Sequence, residues 1–234
     1  MNQPLPILEG TKRIPIFPLP VALFPGMMLP LHIFEERYKA MVRDCLAGEK
    51  IFGVTFVRGR EGFPPPVGRV GCAAFILATV PLEEGRMNIL TTGLARYHAL
   101  EYFQDEPYLE GLVTFFDDQP VREDLTEMAE TVRVTFKRTV KAIRAMSRED
   151  DNFPDELPED PRALSFLVAS LLQMSEEQKM ALMELTDTRE RLERLRRLLL
   201  PAAEKYELRA AINELAKTNG HSSRGILGDP DPES

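Results

Sequence analysis

"IPIFPLPVALFPGMMLPLHIFEERY", residues 14–38, decides how the chain folds. Prolines recur at Pro15, Pro18, Pro20, Pro25 and Pro30, yet the stretch is apolar until it ends on Glu35, Glu36, Arg37 and Tyr38. Apolar runs require burial, and a buried strand needs its backbone N–H groups, which proline lacks. Proline is tolerated at strand starts, at bulges and on edges without a neighbour. The stretch therefore reads as an entry strand (13–19), a proline-rich crossing (20–26) with Phe24-Pro25-Gly26 as its turn, and a second short strand (27–33). A small, partly open barrel supplies such edges.

The same character continues to about residue 118. "KIFGVTFV" (50–57), "VGCAAFILATVPL" (70–82), "RMNILTTGLARYHALEYF" (86–103) and "YLEGLVTFF" (108–116) read as strands, with "PLEEGRMN" (81–88) as a hairpin turn. "FEERYKAMVRDCLAGEK" (34–50) is a helical insert: Tyr38, Met41, Val42 and Cys45 share one face, and Gly48 suits its end.

Beyond that point the period becomes helical. Leu125, Met128, Val132, Phe136, Val140 and Ile143 fall on one face of 124–146, with Asp124 and Glu127 as a capping box. An acidic, proline-containing loop (147–162) leads to Asp160-Pro161, a helix start whose buried face carries Leu164, Leu167, Val168, Leu171 and Leu172. Ser175 with Gln178 opens a short helix, and Asp187 with Glu190 opens a long one (188–217) that Pro201 would kink or split. The expected organisation is α+β: a β-rich domain at 1–118, a helical bundle at 119–217, and a disordered tail at 218–234.

Bulk properties bound the function. Of 234 residues, 44% are hydrophobic and 28% charged, ordinary for a globular chain. A net charge of −8 argues against generic binding to phosphate backbones. Cys45 and Cys72 are too few for a disulfide framework and read as small buried hydrophobes. Neither a signal peptide nor an apolar run of membrane-spanning length is apparent, so the expected setting is the cytoplasm, without a membrane partner.

The motifs carry a resemblance. Pro-Leu, Phe-Pro-Gly, Leu-Pro-Leu and Phe-Glu-x-Arg-Tyr follow one another in 14–38 as at the start of the amino-terminal domain of Lon proteases. "VGCAAFILATVPLEEGRMNILTTGLARYHALE" resembles that family's paired strands with a Gly-x-x-Arg turn, here Gly93 to Arg96. "DPRALSFLVASLLQMSEEQKMALMELTDTRERLERLRRLL" (160–199) resembles its helical subdomain. The resemblance implies a PUA-like, partly open β-barrel followed by an α-helical bundle, and a role in recognising substrates and assisting assembly rather than in proteolysis.

A Lon protease would continue into an ATPase and a Ser-Lys peptidase. No Gly-Lys pair occurs here, hence no phosphate-cradling Gly-x-x-x-x-Gly-Lys-Ser/Thr loop. There is no Gly-x-Ser-x-Gly elbow, no Cys-x-x-Cys and no histidine pair at metal-ligand spacing. His32 and His98 sit in apolar strands, and a Cys45–His32 nucleophile pair lacks an orienting third group. The expectation is a stand-alone, non-enzymatic module without cofactor or metal. Its partners would be unfolded or client polypeptides and, as an adaptor, an ATP-dependent protease.

Candidate substrate-binding residues are Phe24, Met27, Met28, Phe63 and Pro65. Loop 58–69, "RGREGFPPPVGR", offers Phe63 beside stiff Pro64–Pro66, either to an unfolded segment or tucked back on the barrel. Met27 and Met28 are adaptable side chains, but strand alternation turns one of them inward. Glu35, Arg37 and Tyr38 read as scaffold. Arg189, Arg191, Arg194, Arg196 and Arg197 form a basic cluster beside a Leu192, Leu195, Leu199 seam. That helix is either a solvated member of the bundle or a route to homo-oligomers. RNA binding by the PUA-like barrel is the alternative, opposed by the acidic total and by strands lacking interleaved aromatic and basic residues.

Overall fold

The computed structural model describes residues 5–59, 63–146 and 153–221, with side chains to residue 215. Residues 60–62 of the Phe63 loop, 147–152 of the acidic loop and the tail from 222 lie outside the described residues.

Six strands form one sheet: β1 (Thr11–Leu19), β2 (Met28–Ile33), β3 (Ile51–Phe56), β4 (Val70–Pro81), β5 (Met87–Phe103) and β6 (Leu109–Phe116). Their order is β2-β5-β4-β3-β1-β6, and a β5–β6 pairing closes the last five into a ring. Among the described residues β2 pairs with β5 alone and keeps one free margin. Helix α1 (Glu36–Ala47) joins β2 to β3.

Hydrogen-bond alternation explains the prolines. The Gly10 carbonyl accepts from the Phe115 N–H (2.9 Å), so the even-numbered residues of β1 serve β6; Leu19 accepts from Val57 (3.0 Å), so the odd-numbered ones serve β3. Pro18 points its missing donor to the β6 side, where pairing has already ended at Ile16 and Leu109. Pro15 points its own at the Ile51 carbonyl, which instead accepts from Cys45 Sγ at 3.2 Å. In β2, Gly93 N–H donates to the Met27 carbonyl (2.9 Å), which turns the even-numbered Pro30 to the free margin. Pro25-Gly26 makes the expected turn: Met27 N–H bonds Phe24 O at 3.0 Å, with Gly26 at φ +79°.

Gly93 and Arg96 do not form a turn. Both lie inside the continuous β5, at a β-bulge where Gly93 faces Ala74 and Arg96 faces Cys72. The extra residue bends the strand, so its first half borders β2 and its second half β6.

The helices are α2 (Thr126–Met146), α3 (Pro161–Leu171), α4 (Glu176–Met183) and α5 (Thr188–His221). Asp160 caps α3 by accepting from Ala163 N–H at 2.7 Å, with Pro161 at the first position. Ser175 and Gln178 form the reciprocal box of α4. Asp124 accepts from Thr126 N–H (2.9 Å) and Asp187 from Arg189 N–H (2.8 Å), while Glu190 pairs forward with Arg194 at 2.6 Å. Pro201 sits inside α5 without ending it. The helix runs past the expected end at 217, because each added residue gains a hydrogen bond even over Thr218, Asn219 and Gly220. Ion pairs Arg189–Glu123 and Arg138–Glu207 at successive points show that α2 and α5 run side by side in the same direction.

One hydrophobic cluster contains both barrel residues (Phe24, Phe52, Cys72) and helical ones (Phe136, Phe166, Leu195). Phe24 and Phe166 rings lie 6.3 Å apart across that junction.

Candidate polypeptide-binding surfaces

The sequence-derived candidates separate. Phe24 is fully buried (0% exposed) against Phe166 and cannot meet a ligand. Pro65 is buried as well, while Pro64 and Pro66 are exposed. Both leave the candidate surface, since a contact residue must be reachable. Met27 packs partly against the core; its neighbour Met28 is 47% exposed, as alternation requires. Phe63 is exposed and lines a small recess of about 150 Å³ with Pro18, Arg37, Tyr38, Gln104 and Tyr108. Tyr38 is an anchor, its ring centroid 4.0 Å from that of Phe17, and Arg37 pairs with Glu35 at 2.8 Å.

Met28 belongs to an exposed face of β2, β5 and β4. Pro30 pairs with Leu90, and Leu90 with Ala78; on the next row His32 pairs with Asn88, and Asn88 with Val80. Phe34 stacks on His32 at 5.9 Å. The β2 margin is poor for adding a peptide strand, because its outward residues are Met28, Pro30 and His32 and the middle one has no donor.

A second surface lies in the bundle and drew no attention from sequence. An apolar groove of about 330 Å³ opens between α2, the segment after α3, and α5. Phe136, Val140, Ile143, Leu172, Leu198 and Pro201 are among its lining residues. Phe153 walls one side, with its ring edge-on to Phe136 at 5.9 Å. On α5 the apolar side chains continue past the groove as Leu208, Ile212 and Leu215, 57–64% exposed.

Three charged side chains missed as structural residues weld barrel to bundle. Arg96 of β5 and Arg191 of α5, 1% and 0% exposed, share the Asp118 carboxylate, which also accepts from Thr188 Oγ1. Arg96 Nη1 donates to Met183 O at 2.8 Å, and Arg191 Nε to Ser165 Oγ at 2.8 Å. The Arg191 guanidinium also lies 3.9 Å from the Phe166 ring centroid. Burial lowers the pKa of both arginines from the ordinary guanidinium range. Burial alone would raise that of Asp118, but Arg191, then Thr188 and Arg96, outweigh it and hold the carboxyl below its usual range.

The expected basic patch on α5 is therefore largely neutralised. Arg191 is buried, Arg189 pairs with Glu123 (2.9 Å), Arg194 with Glu190 (2.6 Å) and Arg197 with Glu193 (3.6 Å). The signal that finds Arg191 is its position: it shares a helical face with Leu195, four residues on.

Other chemistry is accounted for. Burial pushes the Cys45 and Cys72 thiols up to about 12. Cys45 bonds Ile51 O, and His32 Nδ1 meets Asn88 Oδ1 at 2.7 Å, so the two do not pair. Among the described residues no group of three His, Cys, Asp or Glu is placed to hold a metal ion, and no helix is long and apolar enough to cross a membrane.

Comparison with known proteins bears on these surfaces. The Lon protease of Anaeromyxobacter dehalogenans is 26% identical over 211 residues, 87% of this chain and 25% of that protein. The chain thus spans about a quarter of the length of such relatives. Two solved structures share the fold. A Lon N-terminal domain protein from Xanthomonas campestris has a TM-score of 0.59 at 23% identity, covering 79% of this chain and 96% of that one. The N-terminal domain of the Mycobacterium avium complex Lon protease has a TM-score of 0.58 at 17% identity, covering 82% and 98%. The sequence pattern of the ATP-dependent protease La (LON) substrate-binding domain matches residues 13–200, and with most of its length so matched the chain belongs to that family.

Proposed function

We propose that this chain is a non-catalytic module that binds exposed apolar segments of unfolded or client polypeptides and presents them to an ATP-dependent protease. The observation that carries the reading is the apolar groove beside α5, whose Leu198 is 40% exposed. An apolar side chain fully buried there would contribute about 1.5–3 kcal/mol. The groove is favoured over the β2 margin because Pro30 interrupts the donors that an added strand would use. A role without bond breaking is supported by the separate engagement of Cys45 and His32 and by the raised thiol pKa values.

The test is a titration of the purified protein with one client in its folded form and in a permanently unfolded form. Binding of the unfolded form alone is expected. Equal binding to both, or to neither, removes the reading.

A second mode has its own support. Past the groove, Leu208, Ile212 and Leu215 repeat at spacings of four and three along α5, as in the seam of a two-stranded coil. Glu204 and Arg209 flank that seam five residues apart, where a parallel second copy would place opposite charges together. We infer that homo-oligomers of the chain form through this stripe.

A further inference from the structure

The apolar groove shares Phe136 and Val140 with an adjoining recess of about 370 Å³, whose other walls include Lys137, Lys141, Arg144 and Asp155. Elsewhere on this acidic surface cations are widely matched: Arg13 by Glu110, Arg138 by Glu207, Arg189 by Glu123 and Arg194 by Glu190. Arg144 is engaged too, donating to Phe153 O at 3.0 Å and lying 3.5 Å from Asp155. Exposed cations without an ion pair among the described residues also occur elsewhere, as at Arg43, Arg122, Arg196 and Arg209, but Lys137 and Lys141 line the recess. Both are exposed, and neither has an ion-pair partner among the described residues. They stand one helical turn apart on α2 and repel each other mildly. Lys205, also exposed and without such a partner among the described residues, lines the α5 wall of the groove.

We propose that the groove selects polypeptide segments whose apolar anchors are flanked by acidic residues. The inference rests on the polypeptide-binding reading and adds the chemistry of the client. Anchors lie against Phe136, Val140 and Leu198. Carboxylates on one flank meet Lys137 and Lys141, and on the other flank Lys205. An anion relieves the repulsion between the two lysines, and charge complementarity at the rim rejects basic segments by the same geometry. A polypeptide fits better than a nucleic acid, because the cations border an apolar floor in a chain of net charge −8.

The experiment uses the full chain and three short labelled peptides with identical apolar anchors and flanks of Glu, Ser or Lys, read by fluorescence anisotropy. Expected affinity falls in the order Glu, Ser, Lys, with about fivefold between Glu and Ser near 0.1 M salt. The gap narrows near 0.5 M salt. The K137E/K141E variant brings the Glu peptide to the level of the Ser peptide or below and leaves the Ser peptide unchanged; an unaltered melting temperature confirms its fold. Equal binding of Glu and Ser peptides overturns the acidic preference while polypeptide binding stands. No binding of any peptide overturns both. Displacement of the Glu peptide by an equal concentration of single-stranded oligonucleotide assigns the lysines to phosphate and overturns the proposal.

Discussion

A Cβ placed on Gly93 would sit 2.1 Å from the Phe24 carbonyl oxygen. The two segments that most resemble the Lon family, Phe-Pro-Gly and Gly-x-x-Arg, are thus parts of one contact. Gly93 O accepts from Gly26 N–H and Gly93 N–H donates to Met27 O, both at 2.9 Å, which ties the crossing to the bulge of β5. The side chain of Phe24 then reaches Phe166 of α3.

Gly93→Ala must therefore push the crossing off the barrel. It is expected to cost about 2 kcal/mol or more, read as a lower urea midpoint. Because the collision is with main chain, trimming Phe24 to Leu in the same variant should give no rescue. A near-neutral Gly93→Ala would mean the crossing adjusts freely.

Strand and helix positions were legible from period and punctuation, since proline, glycine and capping carboxylates act locally. The expected turn at Gly93–Arg96 was not, because a bulge and a turn use the same residues and only the partner strand tells them apart. Phe24 shows the larger limit. Its burial depends on Phe166, far along the chain, and local pattern made it a surface candidate. Arg96, Asp118 and Arg191 are likewise joined only by the tertiary fold. The groove escaped notice because its walls come from α2, the stretch after α3, and α5, each ordinary alone.

Asp118 should govern the joint stability of barrel and bundle. Asp118→Asn leaves two buried guanidinium groups with an amide that cannot balance them, at a cost of about 3–5 kcal/mol. The melting temperature should fall by about 10 °C or more. The wild type should show one unfolding transition by both tyrosine fluorescence and far-ultraviolet dichroism, because the junction spans both parts. Two separate wild-type transitions would show that the barrel (1–118) and bundle (119–217) are independent.

The same carboxylate sets an acid limit. Its pKa in the folded protein is held below the unfolded value, about 3.9. The stabilisation is fully present above that unfolded value and is lost as pH falls through the folded one. Urea unfolding from pH 7 to pH 3 should show the gap between wild type and Asp118→Asn constant at first, then shrinking below about pH 4. A gap unchanged down to pH 3 would show that the charge of Asp118 is not the source of the stability.

Self-association through α5 has a charge-reversal test. Sedimentation should show a dimer at high concentration that Leu208→Asp with Ile212→Asp abolishes, since both side chains are more than half exposed and carry little core packing. Glu204→Arg alone should weaken the dimer, and Glu204→Arg with Arg209→Glu should restore it. Failure of the double reversal to restore it would rule out the parallel seam.

The groove itself is best probed on α5, where two leucines of equal exposure face different ways. Leu198 is 40% exposed and lines the groove; Leu200 is 39% exposed and is not among its lining residues. Leu198→Glu and Leu200→Glu should perturb stability alike, by about 0.5 kcal/mol or less for surface positions. Their effects on an unfolded client should differ. A carboxylate at 198 must be desolvated beneath the apolar anchor, so affinity should fall about tenfold, equivalent to roughly 1.4 kcal/mol. The change at 200 meets only solvent and should leave affinity unaltered. Equal loss at both positions would move the binding site away from the groove, and no loss at either would return attention to Met28 and the outer face of β2, β5 and β4.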